Sequence, residues 1–297
     1  MVKRRIREER LKRISYSQYN QWVTCPHKWK LNYIDKLGEF TDSIHTLFGT
    51  SMHEVLQTYL TVMYNDTIKM ADALPLDKML LHRMKYNYTT IMEKNGGVEF
   101  CNQNDMEEFY QHGLLILEWF KKKRANYFSK KNYELVGIEV PINYVLENDI
   151  KFIGYMDVVI YDSFRDRYKI IDIKTSTMGW NKYMKADKNK TDQLLLYKYF
   201  YGVENNIPID KIDVEYFIVK RKLYTKVDFP QRRVQTFSPA SGKPSVNKVM
   251  NNLNQFINES FSEGEYNTEH DYIKRPSTKN CKYCEFNQTK YCDAGVK

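Results

Sequence analysis

Long apolar runs are missing from this sequence, and no stretch approaches the ~18 consecutive apolar residues of a membrane-spanning helix. The first ten residues are largely charged and lack the apolar segment of a secretory signal peptide. There is also no Gly-x-x-x-x-Gly-Lys-(Ser/Thr) motif, so we predict no attached helicase motor. These absences favour an intracellular, cytoplasmic protein without a membrane partner, whose cysteines stay reduced or bind metals.

The charge of the chain is strongly positive. Its 297 residues contain 46 Lys and Arg against 37 Asp and Glu, which gives a formal net charge of +9. A basic protein is attracted to polyanions through phosphate contacts and counterion release. Net charge alone does not distinguish a nucleic-acid-binding protein from other basic proteins, and the length allows one large domain or two small ones.

Two apolar segments at the centre of the chain carry the most informative charged residues. The runs 151–162 and 168–173 are rich in β-branched and aromatic residues, and the short polar segment between them predicts an antiparallel hairpin. Asp157 lies in the first run and Asp172 in the second. Lys174 is two residues beyond Asp172, so both side chains point to one side of a strand. A carboxylate in such a run is costly unless it is paired or holds a metal, and an ordinary ion pair is the simpler interpretation.

Two helices contribute further candidate site residues. Ser51 and Glu54 have the spacing of a capping box, which predicts a helix from Ser51 to about residue 70 with His53 in its first turn. A second helix over about 191–202 places Gln193 and Tyr197 on one face, because they are four residues apart.

The remaining segments predict an alternation of helices and strands. We expect a basic arm at 1–14, followed by one domain at 15–297 with a helical insertion at about 75–131. Strands are expected at 133–145 and 212–220, a hairpin at 222–237 and a helix at 247–261. Glu139, in the first of these strands, is either an exposed strand residue, which is the simpler interpretation, or a further acidic residue near a metal.

The cysteines cluster at the C-terminal end of the chain. Cys281-x-x-Cys284 and Cys292 fall within twelve residues, which indicates a metal site in a segment at about 270–297. A fourth ligand must come from elsewhere, with Cys25 the natural candidate and His270 a weaker one. Four thiolates suit zinc or an iron–sulfur cluster, whereas three unrelated thiols are the simpler alternative. Cys101 has no spaced partner and is expected to be a free thiol.

The order of these elements resembles the PD-(D/E)XK nuclease superfamily, and in particular its RecB-like branch with an iron–sulfur cluster. That branch includes the AddB nuclease domain and the stand-alone CRISPR adaptation nucleases. The matching elements are Cys25, Gly49-x-x-x-His53, Asp157, Asp172-x-Lys174, Gln193-x-x-x-Tyr197, Cys281-x-x-Cys284 and Cys292. The chain departs from the commonest pattern in having Asp172 where many members have Glu, and either carboxylate can ligate a metal. The resemblance covers residue 15 onwards, except for the helical insertion.

The resemblance implies an α/β fold: a mixed central β-sheet flanked by helices, with a restriction-endonuclease-like core. The cysteine cluster would join the two ends of the chain, with Cys25, Cys281, Cys284 and Cys292 holding one 4Fe-4S cluster, or zinc as the alternative. One or two Mg or Mn ions would be bound by His53, Asp157, Asp172 and the Ile173 carbonyl. The implied catalytic residues are Asp157, Asp172, Lys174, Gln193 and Tyr197.

The implied activity is hydrolysis of DNA phosphodiester bonds in DNA repair or recombination. The resemblance favours an exonuclease that acts on single-stranded DNA or DNA ends. The alternatives are a catalytically inactive DNA-binding or adaptor protein with the same fold, and a zinc-containing protein of another function.

Overall fold

A mixed β-sheet with helices on both faces forms the centre of the protein. The computed structural model describes residues 11–38, 42–224 and 226–296. The strands are β1 (Arg13–Ile14), β2 (Tyr133–Val145), β3 (Lys151–Asp162), β4 (Arg167–Ser176), β5 (Ile212–Lys220), β6 (Val234–Phe237), β7 (Phe261–Ser262) and β8 (Glu265–Tyr266). The helices are α1 (Tyr16–Thr24), α2 (Pro26–Tyr33), α3 (Ile44–Asn65), α4 (Ile68–Ala73), α5 (Leu76–Lys94), α6 (Gln103–Lys123), α7 (Lys182–Ala186), α8 (Lys188–Asn205), α9 (Lys243–Ser260) and α10 (Thr278–Cys281).

The main sheet has β3 as its most extensively paired strand. β2 pairs antiparallel along one edge of β3 over its whole length. The other edge is shared, because β1 pairs parallel with Lys151 and Phe152, and β4 pairs antiparallel with 158–162. β5 then adds parallel to β4, and β6 closes the sheet antiparallel to β5. The hairpin predicted from the runs 151–162 and 168–173 and the mixed α/β architecture are thus confirmed. The hairpin predicted at 222–237 is wrong, because the described residues of 222–233 form no strand and β6 pairs with β5 instead.

A gap in the sheet lies between β1 and β4. Residues 153–157 of β3 have no strand partner on this edge within the described part of the chain, and the β3–β4 ladder ends at Val158 and Ile171. The next residue on each strand is a carboxylate, Asp157 on β3 and Asp172 on β4. The gap therefore leaves part of this edge of β3 without a strand partner, next to two buried acids.

Separate hydrophobic cores cover the two faces of the sheet. On one face, α1, α2, α8 and α9 bury aromatic residues that include Trp22, Trp29 and Phe256. On the other face, α3 and the insertion helices α5 and α6 pack against the outward side chains of β3, β4 and β5. The predicted insertion is therefore an integral part of one core, because its apolar stripes close the second face of the sheet.

The start of α3 differs from the prediction. The helix begins at Ile44, and its N-cap is Ser43, whose hydroxyl accepts a hydrogen bond from the Thr46 N–H at 3.3 Å. Ser51 lies inside the helix, where its hydroxyl donates to the Leu47 carbonyl at 2.9 Å, so the predicted capping box is wrong. Gly49 lies inside the helix, where a Cβ atom would come within 3.2 Å of the Thr175 hydroxyl oxygen. α3 also ends at Asn65, and 68–73 form a separate helix.

The predicted basic arm overlaps the sheet at its C-terminal end. Arg13 and Ile14 form β1, and Ile14 is buried in the core. Residues 1–10 of the arm lie outside the described residues. No helix in the described ranges is long and apolar enough to cross a membrane.

Candidate active site

The gap between β1 and β4, at the end of the β3–β4 ladder, brings the predicted metal-binding side chains together. Asp157 Oδ2 accepts a hydrogen bond from the backbone N–H of Ile173 at 2.7 Å, in place of a strand-to-strand bond. His53, in the middle of α3, lies with Nδ1 3.6 Å from the same Asp157 oxygen. Asp172 is almost fully buried beside them. Helix α3, which is distant in sequence, thus meets the two consecutive strands β3 and β4 at the end of their ladder.

A chain of polar contacts leads from Asp172 to α8. Lys174 Nζ donates to Asp172 Oδ1 at 3.1 Å and to Gln193 Oε1 at 3.2 Å. Gln193 Nε2 in turn donates to the Tyr197 hydroxyl at 3.0 Å, as their spacing on one helical face predicts. Asp172 and Lys174 therefore share one side of β4, and the sequence-predicted catalytic residues form one connected group.

Gly154 allows Tyr197 to reach this group. A Cβ atom at position 154 would lie 2.9 Å from Cε1 of the Tyr197 ring, which is closer than side chains tolerate. The absence of a side chain on β3 therefore lets the ring of Tyr197 contact the strand directly. This contact places α8 against the unpaired stretch of β3.

Burial and mutual repulsion control the protonation of the acids and the histidine. Burial, followed by the charge of Asp172, raises the pKa of Asp157 well above its usual range. Burial and the neighbouring Lys174 lower the pKa of His53 to about 4, so that its imidazole is neutral at pH 7. Burial alone would lower the pKa of Lys174, but the attraction of Asp172 and Asp157 outweighs burial and raises it.

The donor set suits a divalent metal ion. Asp172 Oδ2 is buried and has no partner in hydrogen-bonding geometry, although Lys174 Nζ lies 2.9 Å away. Two adjacent carboxylates and a neutral imidazole beside a backbone carbonyl, that of Ile173, are ligands that Mg- and Mn-class metals accept. Across the described ranges, no three His, Cys, Asp or Glu side chains form a preassembled metal cage. The site would therefore need small adjustments on binding.

Gln57 and Glu139 belong to the surroundings of the site. From the sequence, two interpretations of Glu139 were left open, and Gln57 was not assigned. Gln57, one turn after His53 on α3, donates a hydrogen bond to the Glu139 carboxylate. Glu139 has a φ of 51° in the middle of β2, and its charge contributes to raising the pKa of Asp157. Its side chain is exposed, as the simpler interpretation predicted, but it also lies close to the acids. The four-residue spacing of His53 and Gln57 places both side chains on one face of α3, and this pattern in the sequence could have identified Gln57.

The four predicted cluster cysteines surround one pocket at the joined ends of the chain. Cys25, Cys281, Cys284 and Cys292 all line it, together with His27 and Lys28. His270, the weaker ligand candidate, is not among the lining residues and instead lies 3.4 Å from Glu259. The described cysteines do not form a compact group of three metal ligands, so the geometry gives no support to a 4Fe-4S cluster beyond the shared pocket. All five cysteines are free thiols, as expected for Cys101.

Comparison with known proteins assigns the fold to a family. The family model for the PD-(D/E)XK nuclease superfamily matches residues 13–292, nearly the whole chain. The chain belongs to the PD-(D/E)XK nuclease superfamily. Its mixed sheet flanked by helices is consistent with the core of this superfamily. Nucleases of this superfamily generally use Mg or Mn, which agrees with the donor set at the gap.

Individual relatives are distant. A crystal structure of a candidate exonuclease from Eubacterium rectale superposes with a TM-score of 0.46 at 13% identity, covering 84% of this chain and 80% of that one. The crystal structure of SSO0001 gives a TM-score of 0.32 at 14% identity, covering 92% of this chain and 96% of that one. At these TM-scores the two structures add nothing to the family match. No curated protein sequence is significantly similar to this chain.

Proposed function

We propose that this protein is a metal-dependent deoxyribonuclease of the RecB-like branch. The observation that carries the proposal is the pairing of Asp157 with Asp172 at the end of the β3–β4 ladder. Asp172 Oδ2 is buried there without a hydrogen bond, and the pKa of Asp157 is raised. Two buried acids that repel each other are unfavourable unless cations neutralise them, and Lys174 supplies only one positive charge. A member of a nuclease superfamily with this feature has the acids that metal-dependent phosphodiester hydrolysis requires.

Each side chain has a role that follows from its contacts. The Ile173 N–H fixes one oxygen of Asp157, which leaves Oδ1 of Asp157 and Oδ2 of Asp172 to hold Mg or Mn. A bound divalent ion lowers the pKa of water and offsets charge on the phosphate. His53, neutral at pH 7, and the Ile173 carbonyl would complete the ligand set. Lys174, charged and held by Asp172 and Gln193, is positioned to orient the attacking water and to stabilise developing negative charge.

DNA is the substrate that the charge and the family favour. The net charge of +9 suits a polyanion, and Gln193 and Tyr197 lie at the edge of the acidic site where a strand of DNA would be positioned. We infer an exonuclease acting on single-stranded DNA or DNA ends in repair or recombination, on the strength of the Gly49-x-x-x-His53 and Gln193-x-x-x-Tyr197 motifs.

A cleavage assay tests this proposal. Wild-type protein should degrade end-labelled single-stranded DNA in Mg or Mn and should be inactive in a chelator. Asp172→Asn should abolish cleavage. Lys174→Ala should lower the rate by about 100-fold or more, as when one transition-state stabiliser is removed, while metal binding measured by calorimetry survives.

Two results would contradict the nuclease assignment. Wild-type rates in both variants, with either metal, would make Asp172 and Lys174 an ordinary ion pair. Tight DNA binding by wild-type protein without any cleavage would instead support the inactive DNA-binding adaptor.

We also propose that Cys25, Cys281, Cys284 and Cys292 bind one 4Fe-4S cluster. The support is their common pocket and the Cys-x-x-Cys spacing, and the cysteines would have to move closer together on binding. Protein purified without oxygen should be brown and contain about four irons per chain. Colourless protein with one zinc per chain would show that the site binds zinc and not iron. Metal-free protein would exclude a metal site at these cysteines.

A further inference from the structure

The last residue of β5 and the segment that leads from it to β6 are described over 220–224 and 226–233 and are here called the hairpin loop. The hairpin loop carries aromatic side chains that no part of the proposed chemistry uses. Tyr224 and Phe229 are each 59% exposed, and it is their place in one shared groove, more than their exposure, that sets them apart from single exposed aromatic residues. Both line one open groove, together with Lys220 and Arg232. The groove thus combines stacking surfaces with positive charge.

The base of the hairpin loop is held rigidly beside the active site. The N–H groups of Arg221 and Lys222 donate to the carbonyls of Ser176 and Thr177 at 2.8 and 2.9 Å. Ser176 is two residues beyond Lys174 on β4, about 7 Å along the strand. The hairpin loop therefore begins at the end of β4 that lies just beyond Lys174.

Side-chain contacts fix the conformation of the hairpin loop. Gln231 binds the backbone of Tyr224 twice, accepting from its N–H at 2.7 Å and donating to its carbonyl at 2.6 Å. At the base, Arg233 donates to the carbonyls of Lys220 and Arg221 at 3.2 and 3.0 Å. The main chain that carries Tyr224 is thus organised before any ligand arrives, which lowers the entropic cost of binding.

Charge in the hairpin loop is strongly of one sign. Residues 220–233 contain six Lys or Arg and one acid, Asp228. Arg221 and Lys222 are paired with Glu108 of α6 at 2.9 and 2.7 Å. No ion pair within the described ranges involves Lys220 or Arg232, the two cations that line the groove. These two are therefore available to phosphates.

We propose that the hairpin loop binds single-stranded DNA by stacking bases on Tyr224 and Phe229 and contacting phosphates through Lys220 and Arg232. Aromatic faces flanked by cations are the general means by which proteins hold unpaired nucleic-acid strands without reading sequence. Paired bases in a duplex present no free face, so the same groove selects for unpaired strands. The inference rests on the proposed nuclease function and specifies which form of DNA reaches the site.

Binding measurements in an inactive background test the stacking. In the Asp172→Asn protein, Tyr224→Ala and Phe229→Ala should each weaken binding of a fluorescent single-stranded oligonucleotide about 5- to 50-fold, the range of one lost stacking contact. Phe164→Ala is the matched control, because Phe164 is 80% exposed but lies in the β3–β4 turn at the opposite end of β4. It should leave affinity unchanged.

An abasic oligonucleotide separates stacking from charge. On abasic DNA, the Asp172→Asn protein should have the same affinity with and without Phe229→Ala. Arg232→Ala should weaken binding of both oligonucleotides. Phe229→Leu, which keeps an apolar side chain but no ring, should behave as Phe229→Ala and guards against a folding artefact. Affinities equal to that of the Phe164→Ala control, or equal losses on abasic DNA, would overturn the proposal. A loop that instead serves a protein partner would give the first of these results.

Failure of this inference is distinguishable from failure of the nuclease assignment. If wild-type protein binds DNA in a base-dependent way but does not cleave it, the role of the hairpin loop stands and the nuclease assignment is excluded. If wild-type protein cleaves DNA, and Tyr224→Ala and Phe229→Ala cleave it with the same KM as wild-type protein, the nuclease assignment stands and the stacking role is excluded.

Discussion

Asp192 shows how strongly burial acts on single residues in this protein. It lies in α8 next to Gln193 and is only 7% exposed. Burial raises its pKa to about 6, because the charged form loses its hydration. The folded pKa thus exceeds the unfolded one, so ionisation of Asp192 costs stability increasingly as pH rises from about 4 and fully above about 6.

Asp192→Asn should therefore stabilise the protein at neutral pH. The expected gain in the free energy of unfolding is about 1–3 kcal/mol at pH 7.5, and it should vanish near pH 4. Urea unfolding at both pH values measures it. Asp166→Asn is a control of opposite sign, because a hydrogen bond from Lys211 lowers the pKa of Asp166. A gain for Asp192→Asn that is equal at both pH values would exclude ionisation as the cause.

At the scale of residues, much of the site could be predicted from sequence. Asp157, Asp172 and Lys174 follow from the period of two in strands, which places side chains regardless of the rest of the fold. Gln57 and Glu139 could not be predicted in the same way. Their hydrogen bond joins α3 to β2 across 82 positions of sequence, and Glu139 takes its place only through a left-handed backbone conformation.

At the scale of elements, the contact between α8 and β3 depends on one glycine. Gly154→Ala would drive a methyl group into the Tyr197 ring at 2.9 Å, so that α8 or the strand must shift. We expect a loss of about 1–3 kcal/mol in stability and a marked fall in the rate of DNA cleavage, since Gln193 and Lys174 lie on the same chain of contacts. Cleavage kinetics and thermal unfolding measure the two effects.

Gly242→Ala provides the matched control for this contact. Position 242 precedes α9, and a Cβ there would meet its nearest neighbour at an ordinary 3.8 Å. The control should retain full activity. Equal behaviour of the two alanine variants would mean that Tyr197 does not need its close approach to β3.

Element boundaries were harder to predict than element types. Apart from the hairpin expected at 222–237, helices and strands alternate in the predicted order, because apolar periodicity survives in the sequence. The beginning of α3 was misplaced by seven residues, since Ser51 and Glu54 imitate a cap, whereas Ser43 forms it. A capping box depends on backbone geometry that a four-residue pattern does not contain.

At the scale of the whole molecule, protein contacts alone already join the two ends of the chain. The Arg275 guanidinium donates to the Val23 carbonyl at 2.6 Å, and Asn280 Nδ2 donates to the Thr24 carbonyl at 3.0 Å. The His27 N–H donates to the Ile273 carbonyl at 3.2 Å. A bound metal would strengthen this junction and would not have to create it.

Cys25→Ser should nevertheless destabilise protein that carries the proposed cluster. Metal-binding energy at a site joining both ends is folding energy, so loss of one ligand should lower the melting temperature by at least about 5 °C. Cys101→Ser should leave both the melting temperature and the iron content unchanged. Identical melting of wild-type and Cys25→Ser protein, prepared without oxygen, would exclude Cys25 as a ligand.

The hydrogen bond from the Ile173 amide to Asp157 gives the protein a built-in spectroscopic reporter. An amide proton bonded to a carboxylate resonates at a position that depends on the charge of that carboxylate, and most amides in the sheet interior face carbonyls instead. A single resonance in a nitrogen-15 correlation spectrum would therefore register whether the acid pair is protonated, ionised or neutralised by a cation. Because of the gap in the sheet, the resonance of one backbone amide thus reports the charge of a buried site.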